Sequence, residues 1–180
     1  MKFSLSIAVC LAAMASAASV GTTTASTMKA IMGDFSKLGQ QFAKIANDVN
    51  AFPQTGMAGV QDIHNDAAVI HDLFSSVNDN LDALPRPVSD EHVLKVFSTF
   101  NSFTPDIMDY LNGITEKSAD FKALGTASST ISIDLQASVK SCAQFGQTIM
   151  TMIPPAMSDT ASATFNEVDV ARQNAIASLA

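Results

Sequence analysis

Apolar residues recur in steps of three and four along most of this chain. Met28, Ile31, Met32, Phe35, Leu38, Phe42, Ile45 and Val49 share one face, which predicts a long amphipathic helix. It stops before Phe52-Pro53-Gln54-Thr55-Gly56, a loop by its Pro and Gly content. A second stripe runs Val60, Ile63, Ala67, Ile70, Phe74, Val77 and Leu81, and Pro85-Arg86-Pro87 bars its continuation. Ser89 is a good N-cap for a third helix, with Asp90 and Glu91 placing negative charge on its first turn. Val93, Phe97, Phe100, Ile107, Leu111 and Ile114 follow in phase across Thr104-Pro105-Asp106, where a break or sharp kink is expected. Ala123-Leu124-Gly125 reads as a helix end with a C′ glycine. Ile131, Leu135, Val139, Cys142, Phe145, Ile149 and Ile153 make the next stripe, ended by Pro154-Pro155. Phe165, Val168, Ala171, Ala175 and Leu179 make the last. Short connections between such segments predict an all-α, up-down bundle of five or six amphipathic helices.

Nothing in the composition argues for strands. Tryptophan is absent, tyrosine occurs once (Tyr110), and long alternating Val/Ile/Thr runs are missing. The first residues have a different character. Lys2 precedes an apolar stretch too short to cross a bilayer, and Ala15-Ser16-Ala17 is a small-x-small cleavage signature, so residues 1–17 read as a secretory signal peptide. Thr22 to Thr27 lie in a Thr/Ser-rich leader over 18–27, flexible and open to O-linked sugars, before the bundle domain at 28–180. Removal of the leader peptide leaves 163 residues, one domain, with a single core large enough to fold without staples. It also removes Cys10, so Cys142 has no partner for an internal disulfide and reads as a small buried hydrophobe.

The formal charge of −7 is repelled by nucleic acid and by anionic lipid surfaces, and no basic stripe offsets it. No second long apolar run follows the leader, and Ala175 to Ala180 lack the tail of a GPI signal. The expected product is extracellular: secreted, or held non-covalently in an outer layer.

Candidate chemistry is sparse. His64 and His71 stand seven apart on one helix, too far for paired metal ligands, and the nearby Asp62, Asp66 and Asp72 read as its solvated face. No Glu-x-x-His pair, Gly-x-Ser-x-Gly elbow or phosphate-cradling glycine loop occurs. With no histidine near it in sequence, Cys142 is not expected to act as a nucleophile. No catalytic residue, metal or cofactor is expected. Ten phenylalanines and seven methionines remain after the leader, enough to fill a core or to line an adaptable apolar pocket.

The order of these segments carries a resemblance. After the Leu84-Pro85 break, Val88-Ser89-Asp90-Glu91 opens a helix. Phe103-Thr104-Pro105-Asp106-Ile107, then Leu111-Asn112-Gly113-Ile114-Thr115-Glu116-Lys117 leading to Phe121, and Ile149-Met150-Thr151-Met152-Ile153-Pro154 follow. Across the chain after its leader this resembles the fungal hydrophobic surface-binding protein A family, which includes the antigenic cell wall mannoproteins. The resemblance implies a secreted helical bundle without catalysis that binds hydrophobic surfaces or sequesters a lipid or fatty-acid chain between its helices. The alternative it leaves is a structural or antigenic wall component with no specific ligand. It also implies cell wall association, with wall polysaccharide or a co-secreted hydrolase as partners. An acyl-chain pocket would draw its lining from Phe97, Phe100, Phe103, Phe121, Phe145, Met150 and Met152.

Overall fold

The computed structural model describes residues 6–180, with side chains from Thr23 onward. The signal peptide expected over 1–17 therefore falls outside the residues whose side chains are described. The helices are α1 (Ser6–Ala51), α2 (Gly56–Asp82), α3 (Asp90–Glu116), α4 (Ser118–Ala123), α5 (Ala127–Met152) and α6 (Ser158–Leu179), with a short 3-10 turn at Pro155–Met157. Among the described residues there is no strand.

The five long helices form a ring rather than a filled cylinder. α1 packs on α2 and on α3, α2 on α5, α5 on α6, and α6 back on α3. Successive long helices run antiparallel, as Lys44 with Asp66 and Phe145 with Phe165 record. Ring neighbours that are not successive run parallel, as His64 with Asp134 and Asn78 with the Ser141 carbonyl record for α2 and α5. Residues 83–89 and the α4 segment carry the chain across opposite ends of the bundle. Interhelical packing distances of about 8–10 Å let four helices close on their own side chains. A fifth widens the ring and leaves central space that only large side chains, or something else, can fill.

The predicted stripes are the buried faces. From Ile31 through Val49 on α1, Val60 through Leu81 on α2 and Val93 through Ile114 on α3, nearly every stripe residue is buried in one core. On α5 Val139 is exposed and Cys142 half-buried. Ser89 caps α3 as expected, accepting from the His92 amide. Gly125 has φ +65°, the left-handed conformation a C′ glycine supplies. Gly113 permits the close approach of α3 to α1, since a Cβ there would stand 2.8 Å from a Val49 methyl.

Three expectations need correction. α3 runs unbroken through Pro105, which lies inside it. Thr104 does not cap a new helix; its hydroxyl donates to the Phe100 carbonyl one turn back, and burial of Phe100, Phe103, Ile107 and Tyr110 on both sides of the proline holds the turn together. The stretch Thr23–Thr27, expected to be a flexible leader, continues α1 as helix. The Ser26 hydroxyl donates to the Thr23 carbonyl, and extending a formed helix is far easier than starting one. Asp66 is buried against α1 rather than solvated, and its carboxylate accepts from Lys44 at 2.7 Å. Burial pushes its pKa up while Lys44 draws it back.

Candidate functional site

The central space is not filled. A cavity of about 570 Å³ lies behind the seam between α5 and α6. Phe42 of α1, Ala67, Ile70 and Phe74 of α2, and Phe100, Ile107, Tyr110 and Leu111 of α3 form its back wall. Leu135, Cys142, Phe145 and Met150 of α5 and Phe165 and Val168 of α6 form its sides. Exposed Val139, Ala143 and Gln147 on α5 face exposed Ser162, Asn166 and Gln173 on α6 around its mouth.

The cavity is long and polarised. The pairings of His64 with Asp134 and of Phe100 with Phe165 fix the register of its walls. Ala67, Tyr110, Asp134 and Arg172 thus fall at one end, and Phe100, Met150 and Ser162 at the other. Asp134 and Met150 are separated by roughly 24 Å along α5 at about 1.5 Å per residue. The second end is aromatic. Phe145 touches Phe74, Phe100 and Phe165 at ring-centroid separations of 5.9, 5.1 and 5.7 Å. The first end holds the charge. Asp134 accepts from His64 Nδ1 at 2.9 Å, and Arg172 donates to Asp169 at 3.1 Å. Burial raises the pKa of Asp134, with His64 opposing, and it raises the Tyr110 phenol and the Cys142 thiol as well.

Of the residues singled out in the sequence, Phe100, Phe145 and Met150 stand in the cavity wall. Phe97, Phe103, Phe121 and Met152 do not. Phe97 is buried against Phe165. Phe103 is wedged between Phe35, Phe42 and Phe100. Phe121 stacks on Phe52 at 4.1 Å where α4 closes one end of the ring. Met152 packs on the core beside the last turn of α5. Sequence reading missed Phe42, Phe74 and Phe165, and the polar group Tyr110, Asp134, Asp169 and Arg172. A lone buried arginine on an otherwise apolar stripe, Val168-Ala171-Arg172-Ala175, was the available signal for the last of these.

Cys142 packs against the core on one side and borders the cavity on the other, so it is half-buried rather than fully buried. Truncation there opens little new void, and Cys142→Ala should cost under about 1 kcal/mol in urea unfolding, below the usual cost of a core deletion. Since the thiolate is the reactive form, its raised pKa should keep alkylation by iodoacetamide at pH 8 slow in the folded protein and fast in urea.

Among the described residues no group of three His, Cys, Asp or Glu side chains is placed to hold a metal, and no helix is long and apolar enough to cross a membrane. His71 Nδ1 is buried without a partner rather than paired with His64.

A ring of five helices around an apolar cavity with one charged end defines a helical binding protein. The sequence model of hydrophobic surface binding protein A matches residues 28–151, and the chain belongs to that family. No curated protein matches the sequence. Solved structures share the fold. Ligand binding domain 1 of the Penicillium marneffei MP1 protein, complexed with arachidonic acids, superposes with a TM-score of 0.72 at 15% identity, covering 86% of this chain and 99% of that one. AFMP4P in complex with palmitic acid superposes with a TM-score of 0.76 at 17% identity, covering 85% and 99%.

Proposed function

We propose that this protein is a secreted, non-enzymatic fungal binding protein that encloses one acyl chain of a lipid between α5 and α6. The cavity carries this reading. Its volume of about 570 Å³ falls in the range of small-molecule sites, roughly 300–1,000 Å³. Its shape is elongated, and its walls are mostly Phe, Ile, Leu and Met with polar groups gathered at one end. Both structural neighbours are named as complexes with fatty acids, which supports the same class of ligand here. Burying each methylene contributes about 0.8 kcal/mol, so a chain of ten or more offsets the loss of translational freedom on binding.

The test is native mass spectrometry of protein purified from its secreting host. Mass increments matching single lipid chains are expected. Ligand-free protein that also takes up no fatty acid of any length added below its micellar concentration would sink the proposal, leaving a wall component without a specific ligand.

The family name favours a second activity, adsorption to apolar solids. With a formal charge of −7, adsorption to uncharged plastics or waxes must be hydrophobic. It should persist or increase in concentrated sulfate, which strengthens apolar burial. Desorption with rising salt would instead point to a charge-driven mechanism.

A further inference from the structure

Arg172 is 6% exposed, yet it has one protein partner, Asp169 Oδ1 at 3.1 Å. That partner is half-exposed and its other oxygen accepts from Gln173 at 2.7 Å. A guanidinium carries five N–H donors, and those of Arg172 not used by Asp169 open onto the cavity, where a ligand can accept from them. The rest of the Arg172 fork bonds to no protein atom, and Arg172 lines the cavity. The Tyr110 hydroxyl, on the opposite wall at the same end, is open to the cavity and makes no side-chain hydrogen bond among the described residues. Burial and the nearby Asp134 raise the Tyr110 pKa and burial raises that of Cys142, while Arg172 opposes both shifts, which places it within electrostatic reach of each. Asp134, the third polar group at this end, is already engaged with both oxygens 2.9 Å from His64 Nδ1.

We infer that Arg172 and Tyr110 hold the free carboxylate of a single-chain fatty acid, whose tail runs towards Phe100 and Met150. This rests on the acyl-chain reading above and adds the head group to it. A planar guanidinium meets a carboxylate through two parallel N–H donors, and the Tyr110 hydroxyl can donate a third bond. A ligand carboxylate would share Arg172 with the half-exposed Asp169 through charge-assisted bonds, whereas an ester or alcohol offers only neutral acceptors. Asp134 repels a carboxylate on its own side and so favours the Arg172 side. The cavity should therefore select acids over neutral lipids of equal chain length.

Delipidated protein titrated with palmitic acid, methyl palmitate and hexadecanol, each below its aggregation limit, separates the possibilities. The acid should bind roughly 10–100-fold more tightly than either neutral lipid, the usual worth of a buried charge-assisted pair. Arg172→Gln should bring the acid down to the level of the ester. Tyr110→Phe should weaken the acid alone, by roughly threefold to tenfold. Arg172→Lys keeps the charge without the fork and should fall between wild type and Arg172→Gln. Equal wild-type affinity for acid, ester and alcohol would overturn the carboxylate anchor and leave the acyl-chain reading standing. Absence of binding by all three would overturn both. If Arg172→Gln does not fold, the wild-type ratio with Tyr110→Phe still decides.

Discussion

Palmitic acid at a hundredfold excess over its Kd should raise the Tm of delipidated protein by roughly 5–10 °C. Ligand that binds only the folded state at that excess contributes about 2.7 kcal/mol. A domain of this size gains roughly 2–4 °C per kcal/mol. The cavity gives a structural reason to expect the full effect. Left dry and empty, its 570 Å³ would cost about 14 kcal/mol at about 24 cal/mol per Å³, near the top of the range of whole-domain stabilities. The protein without an acyl chain must therefore let water through the α5–α6 mouth or draw its walls together, and either state is less stable than the filled one. The shift should grow with chain length until the space between Arg172 and Met150 is full. Differential scanning calorimetry across saturated acids of increasing length measures it, and a Tm indifferent to every length would refute it.

The second large effect concerns Phe145. Its ring is buried against Phe35, Phe74, Phe100 and Phe165, so it joins α5 to four other helices at once. Phe145→Ala should destabilise by about 3–5 kcal/mol, a fall in Tm of roughly 10–15 °C. Phe103→Ala should cost a similar amount, since Phe103 is buried between Phe35, Phe42 and Phe100. Ligand response separates the two. Phe145 stands in the cavity wall and its removal enlarges the cavity, so bound acyl chain should restore part of the lost stability and prefer greater bulk. Phe103 lies outside the wall, and its variant should respond to fatty acid as the wild type does. Equal responses from both variants would show that the ligand does not touch Phe145.

Chemical denaturation of the same pair gives an independent readout. The two variants should shift the urea midpoint alike in ligand-free buffer and differently in saturating fatty acid, without a change in slope.

Local spacing determined much of this protein. Periodicity of three and four defines the buried faces of α1, α2 and α3, because a helix places such positions on one side whatever it packs against. Ser89 at the start of α3 and Gly125 after α4 were legible for the same reason: a cap and a positive φ are decided within one turn of chain. The family resemblance was legible too, since it rests on the order of those elements. Tertiary structure decided the rest. Pro105 stays inside α3 because packing on both sides of it outweighs the lost hydrogen bond, a balance no local rule contains. Asp66 is buried because Lys44 of a different helix faces it. The pocket was only partly legible. Phe100, Phe145 and Met150 line it while Phe97, Phe103, Phe121 and Met152 pack elsewhere, although Phe97 shares its stripe with Phe100. A stripe says that a side chain points inward. Which inward side chains meet each other and which border open space depends on five helices closing a ring in the order α1, α2, α5, α6, α3, and that order exists only in three dimensions.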